Sequence, residues 1–378
     1  MKKIALVTCF LDNYGACLQA YALQKTITNC GNKCTIVNYI EPEGYYKKSF
    51  SNKIKNSAVY NLIRCAISKK YKESYKFDKA RRKKFQSFRK KFLTFTEEYE
   101  NYEQLKQIKE FDAFVCGSDQ IWNPTFYGKC HPAYYLEFVP ESIKKISYAP
   151  SIGISDIPTE HVDDFRKYLE KFHRISVREQ NGVDLVRKYA NRESKWVLDP
   201  TMLLSGDEWG SVAKGTMHKK PYILCYLFGS HEYYKDAIEH LRKETGYDVV
   251  IIPFSKRDLN KEYHKIYKAG PAEFLSLIKN AEYVLTDSFH ATVFSILFGR
   301  SFYTLLRNNE NEKNGMNSRI YSLLSMVEKQ DRCIAKADVN NFGVSQINDY
   351  DKVHSKLNVL RQESIEYLTN ALDDENGR

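Results

Sequence analysis

The chain has 378 residues, too many for one ordinary hydrophobic core and enough for two domains of similar size. Its 43% hydrophobic and 28% charged content is that of a globular protein, and no segment approaches the roughly 18 uninterrupted apolar residues of a membrane span, so a soluble protein is expected. The formal net charge of +11 fits nucleic acid, anionic lipid or an anionic substrate and does not choose among them.

The N-terminal MKKIALVTCF has basic residues and a short apolar run, but Asp12 and Asn13 cut the run before a small-residue cleavage site, so it reads as a first strand rather than a signal peptide. Lys3 to Cys9 is predicted as that strand, Gly15 to Ile27 has helical spacing, and Lys33 to Tyr39 is the next strand. Residues 51–96 break the rhythm and read as an inserted helical hairpin. Phe85, Phe88 and Phe92 lie on one helical face, with Arg81, Arg82, Lys83, Lys84, Arg89, Lys90 and Lys91 around it. That basic face is either a solvated surface or a platform for anionic lipid or a lipid-linked acceptor, a peripheral membrane contact. Asp112 to Gly117, Lys144 to Pro150 and Arg174 to Glu179 supply further strands, each followed by polar turn residues.

A second series follows Asp199 to Thr201, with strands over Tyr222 to Phe228, Asp248 to Phe254, Tyr283 to Phe289 and Ser301 to Leu306. The alternation predicts an α/β protein of two Rossmann-like domains facing a cleft, over 1–198 and 199–378, a layout that periodicity does not separate from other two-domain α/β folds. The last helix is a candidate to pack back on the first domain. Nine cysteines, without CxxC pairs and several of them inside strand patterns, read as reduced thiols of a cytoplasmic protein. No GxGxxG follows the first strand, no P-loop occurs, and His231 and His240 are poorly spaced for a metal, so no metal or cofactor is expected.

Six segments, Asn13 to Gln24, Phe114 to Pro124, Ser147 to Gly153, Ser176 to Glu179, Leu198 to Leu204 and Thr286 to Phe302, resemble in order and spacing the successive blocks of the polysaccharide pyruvyl transferase family. The resemblance spans nearly the whole chain. It implies a GT-B-like fold, phosphoenolpyruvate as donor, and a pyruvate ketal formed on a glycan or lipid-linked oligosaccharide of a capsule or exopolysaccharide. Such a reaction needs an acid for the donor's methylene and cations for its carboxylate and phosphate.

His290 follows a strand and opens a helix, where backbone N–H groups also point toward an anion. The family's histidine falls there, which makes His290 the candidate general acid; the alternative is a histidine that caps the helix or bonds Asp287. Characterised members commonly carry a donor-contacting arginine two positions earlier, where this chain has Ser288. Arg178 matches the family's arginine at the end of the first domain and is a candidate ligand for carboxylate or phosphate; the alternative is a salt bridge to Glu179 or another surface carboxylate. Arg307 and Arg319 are candidates to replace the missing cation. Asn13, Tyr14, Gln120, Trp122 and Asn123 have the mixed polar and aromatic character of a sugar site, with Asp119 as the base for an acceptor hydroxyl. For Trp122 core packing is the better fit. Rival functions are a glycosyltransferase using a nucleotide sugar on the same architecture and a non-catalytic glycan-binding protein; no nucleic-acid partner is expected.

Overall fold

The computed structural model describes residues 1–39, 69–215, 218–229, 231–253, 263–307, 317–340 and 342–374. Two parallel sheets form. In the first, β1 (Lys3–Val7), β2 (Lys33–Tyr39), β3 (Phe95–Tyr99), β4 (Ala113–Cys116) and β5 (Lys144–Ser147) lie in the order β3-β2-β1-β4-β5. The pair β6 (Ser176–Val177) and β7 (Lys195–Trp196) continues it, because the amide of Ser147 donates to the carbonyl of Arg174. The second sheet runs β10 (His264–Lys265), β9 (Asp248–Ile251), β8 (Tyr222–Tyr226), β11 (Tyr283–Thr286), β12 (Ser301–Leu305) and β13 (Cys333–Ile334). Every residue of β8, β11 and β12 is buried, as expected for parallel strands covered by helices on both faces.

In each sheet the strand order reverses once, between β1 and β4 and between β8 and β11. Ligands of such sheets bind at the carboxyl ends of the strands beside the reversal. Two helices enter from those ends, α1 (Tyr14–Asn29) after β1 and, after β11, the helix Phe289–Leu297.

The helix α2 (Lys69–Phe92) lies in the connection between β2 and β3, and residues 95–99 form β3 rather than the end of an insertion. Residues 51–68 of the expected hairpin lie outside the described residues. Phe85 and Phe88 of α2 are buried. The helix also reaches the second domain: Lys84 Nζ is 2.7 Å from Glu273 of α3 (Pro271–Lys279), and Phe77 stacks on Tyr267 at 4.7 Å. Tyr14 at the start of α1 makes the same crossing, its ring stacked on Phe274 at 4.3 Å and its hydroxyl donating to the Ala269 carbonyl at 2.7 Å.

Past the helix α4 (Phe289–Leu297) and α5 (Ser318–Met326), the last helix, α6 (Tyr350–Asp373), returns to the first sheet. There Tyr367 Oη donates to the Ser147 carbonyl at 3.1 Å, and Lys2 Nζ donates to the Leu372 carbonyl at 2.7 Å.

Candidate functional site

The carboxyl ends of β4 and β6 bring Ser118, Asp119, Arg178 and Glu179 together, and the chain entering the second domain adds Asp199. Gly117 turns the β4 end at φ 135°, and a Cβ there would sit 1.8 Å from the Tyr148 carbonyl oxygen, so only glycine fits. From α1 the buried Gln19 amide donates to Thr8 Oγ1 and the Cys9 carbonyl and accepts from the Ser118 amide, tying the β1 and β4 ends together.

Asp199 is the hub. Its Oδ2 accepts from Arg178 Nη1 at 2.9 Å and Ser118 Oγ at 3.3 Å and lies 3.7 Å from His290 Nε2. Its Oδ1 accepts from the amide and hydroxyl of Thr201. Burial alone would push this carboxyl up, but His290, Arg178 and Thr201 outweigh it and hold it well below the usual carboxylate range. Arg178, 3% exposed, also donates through Nε to Glu179 Oε1 at 3.2 Å, and its guanidinium lies over the Phe289 ring at 4.4 Å. Glu179 in turn accepts from the Ser151 hydroxyl.

His290 enters from the opposite domain in the first turn of α4, capped by Ser288 Oγ. Its imidazole rests on Gly15 of α1, where a Cβ would meet Nδ1 at 2.1 Å. Two helix starts therefore close on the histidine from either side.

Arg319, in α5, completes the cluster. It is buried, and among the described residues it makes no ion pair and its Nε has no hydrogen-bond partner. Burial, then the neighbouring Arg178 charge, hold its pKa down to about 10, with Arg307 adding to this and Glu179 and Asp119 opposing it. Arg178 Nη2, Glu179 Oε2 and His290 Nε2 are likewise buried without a hydrogen-bond partner among the described residues. Buried polar groups in folded proteins are normally satisfied, so four such atoms in one cluster describe a place built for something polar.

The structure brings His290, Asp119, Arg178 and Arg319 together and leaves other candidates elsewhere. Arg307 bonds Asp287 through Nε at 3.3 Å and packs on Phe228. Ser288 is engaged as the α4 cap, its Oγ accepting from Ala291. Asn13 caps α1 through Oδ1. Tyr14 is locked in the interdomain contact, and Gln120, buried, bonds Asn123, which itself caps a short helix at Pro124–Tyr127.

Trp122 is a core residue, 1% exposed, stacked on Tyr135 at 5.1 Å with its indole N–H donated to the Tyr134 carbonyl. A ring with both its face and its N–H engaged offers no plate to a sugar. Trp122→Ala is expected to cost about 3–5 kcal/mol of stability, read as a fall in the unfolding midpoint.

Asp199, Ser118 and Gly15 were not among the sequence candidates. Asp199 had a signal, since it stands in the Leu198 to Leu204 segment at the domain junction. Gly15 stands in the Asn13 to Gln24 segment, but its contact with His290, 275 residues away, leaves no local trace in the sequence.

Among the described residues, no group of three or more His, Cys, Asp or Glu side chains could hold a metal ion. None of their helices is long and apolar enough to cross a membrane.

A family model described as polysaccharide pyruvyl transferase matches residues 13–309. No curated protein matches the chain. Among solved structures, the S. aureus MnaA–UDP co-structure is similar at 11% identity and a TM-score of 0.52, covering 90% of this chain and 86% of its own. Arabidopsis thaliana UGT89C1 complexed with UDP-L-rhamnose is similar at 9% identity and a TM-score of 0.50, covering 98% and 99%. At such identities the likeness shows the fold, a GT-B-like pair of Rossmann-like domains.

Proposed function

Because the chain belongs to the polysaccharide pyruvyl transferase family, we propose that it moves the pyruvyl group of phosphoenolpyruvate onto two hydroxyls of a sugar in a surface polysaccharide or its lipid-linked precursor. The observation that carries this reading is the pair of buried arginines, one from each domain, with Arg319 beside Arg178 and without an ion pair among the described residues. A small dianionic or trianionic ligand between them would satisfy both.

In the proposed reaction His290 delivers a proton to the donor's methylene carbon, which becomes the methyl group. One sugar hydroxyl adds to the adjacent carbon, and Asp119 takes its proton. Phosphate leaves with the C–O bond electrons and one proton, and the second hydroxyl closes the ketal. The two protons lost by the hydroxyls balance those gained by methyl and phosphate. Arg178 Nη2 and Arg319 hold the donor's anionic groups, while Asp199 fixes Arg178 and faces His290 with a negative charge.

Gly15→Ala tests the placement of His290. The added methyl would overlap Nδ1, so the imidazole must move by about 1 Å, and a displacement of that size is expected to lower turnover about 100-fold. A steady-state assay of the folded variant checks it, and unchanged turnover would mean that the imidazole position is not critical.

The nucleotide-sugar alternative meets an obstacle in the second domain. At the β8–β11 crevice, the amides of Phe228 and Gly229 already donate to Asp287 at 2.8 Å each, so a carboxylate stands where a diphosphate would seek N–H groups. Thermal unfolding with phosphoenolpyruvate, UDP or UDP-sugars at millimolar concentration separates the readings, since a ligand of the native state raises the midpoint. Stabilisation by phosphoenolpyruvate alone is expected; stabilisation by UDP-sugars alone would replace this reading with glycosyl transfer.

A further inference from the structure

The charges of α2 fall into two sets. Lys84 pairs with Glu273, Arg89 with Asp12 at 2.6 Å and Arg81 with Asp78 at 3.6 Å, and these residues flank the packed face. Lys76, Lys79, Lys83 and Lys90 are exposed and make no ion pair with any described residue. Their spacing of three, four and seven places them, at 100° per residue, within about 60° of one another on the side away from Phe85, along roughly 21 Å of helix. Arg82 and Lys91, also exposed, flank them, and Asp78 is the one acidic residue between Lys76 and Lys91.

We propose that this lysine stripe docks the protein on an anionic lipid surface. A line of flexible ammonium groups, with the exposed Tyr75 ring only at its N-terminal end, suits a diffuse negative field better than a shaped protein partner. Base-stacking recognition of single strands would interleave aromatic rings between the cations, and among the described residues no exposed ring lies between Lys76 and Lys90. Apolar insertion is limited to Tyr75 at one end, because Phe85 and Phe88 are already buried against the protein. The binding is therefore electrostatic and salt-sensitive.

The position of the helix makes docking consequential. On its inner side Phe85 contacts Tyr14 at 5.1 Å, next to Gly15 under His290, and Lys84 ties the helix to the second domain. A surface held by the stripe would face both domains, with the cleft behind one helix thickness, on the order of 10 Å. The proposal does not depend on the identity of the donor.

Cosedimentation with phosphatidylcholine vesicles, with and without phosphatidylglycerol, tests it at low and high salt. The protein is expected to bind only the phosphatidylglycerol vesicles and to release them at high salt. Each cation is worth roughly fivefold on such a surface, so the combined Lys76→Gln, Lys79→Gln, Lys83→Gln and Lys90→Gln variant should bind at least about 100-fold more weakly. Its unfolding midpoint should match the parent's, and the four corresponding Lys→Arg changes should preserve binding. Absence of binding by the parent, equal binding to uncharged vesicles, or equal binding by the glutamine variant would overturn the proposal. Tighter binding to duplex nucleic acid than to vesicles at the same salt would overturn it in favour of a nucleic-acid surface.

Discussion

His290→Ala is expected to lower turnover by at least about 100-fold while leaving the protein folded, because a positioned general acid typically contributes 100- to 10,000-fold. The expectation of an intact fold rests on the hydrogen bonds around it. His290 Nε2 makes no hydrogen bond with a described residue. Its neighbour Asp199 keeps Arg178, Ser118 and Thr201 when the imidazole is removed, so no buried carboxylate is left alone. An unfolding midpoint close to the parent's, with phosphate release from phosphoenolpyruvate nearly abolished, is the predicted pair of results. A folded variant with near-normal turnover would assign the proton transfer to another group and leave His290 as an interdomain contact.

Arg319→Met is expected to separate binding from stability. In the ligand-free protein this guanidinium is buried, lies near the Arg178 charge and has no ion-pair partner among the described residues, so its charge opposes folding. Methionine fills much of the same volume without the charge, and the ligand-free midpoint should stay level or rise. Donor affinity should fall at least tenfold, since each charge-assisted hydrogen bond lost is worth about 1.5–3 kcal/mol. Calorimetric titration with phosphoenolpyruvate and a thermal melt read both quantities. A lower midpoint with unchanged affinity would make Arg319 a structural residue and remove the second cation from the donor site.

The strands with apolar runs were legible because β8, β11 and β12 are buried on both faces and are therefore mostly apolar. β3 was not, because FTEEY is a partly exposed edge strand whose polar residues carry no periodic signal. Of the four two-residue strands only β6 was legible, from the run around Ile175 and Val177; β7, β10 and β13 are too short to have a period at all. At the site, His290 and Arg178 were readable as residues at strand ends, but their meeting through Asp199 depends on how the two domains are set against each other. Trp122 was misleading for the opposite reason. It stands in a strand-end loop of the kind that binds ligands, and only the fold shows the loop turning inward to stack on Tyr135.

A crystal structure with phosphoenolpyruvate bound tests the central claim most directly. The predicted result places the donor's carboxylate and phosphate within hydrogen-bonding distance of Arg178 Nη2 and Arg319, with its methylene carbon facing the His290 imidazole and Asp119 on the side open to an acceptor. A donor found at the β8–β11 crevice away from His290, or a site that stays empty at millimolar phosphoenolpyruvate, would contradict it.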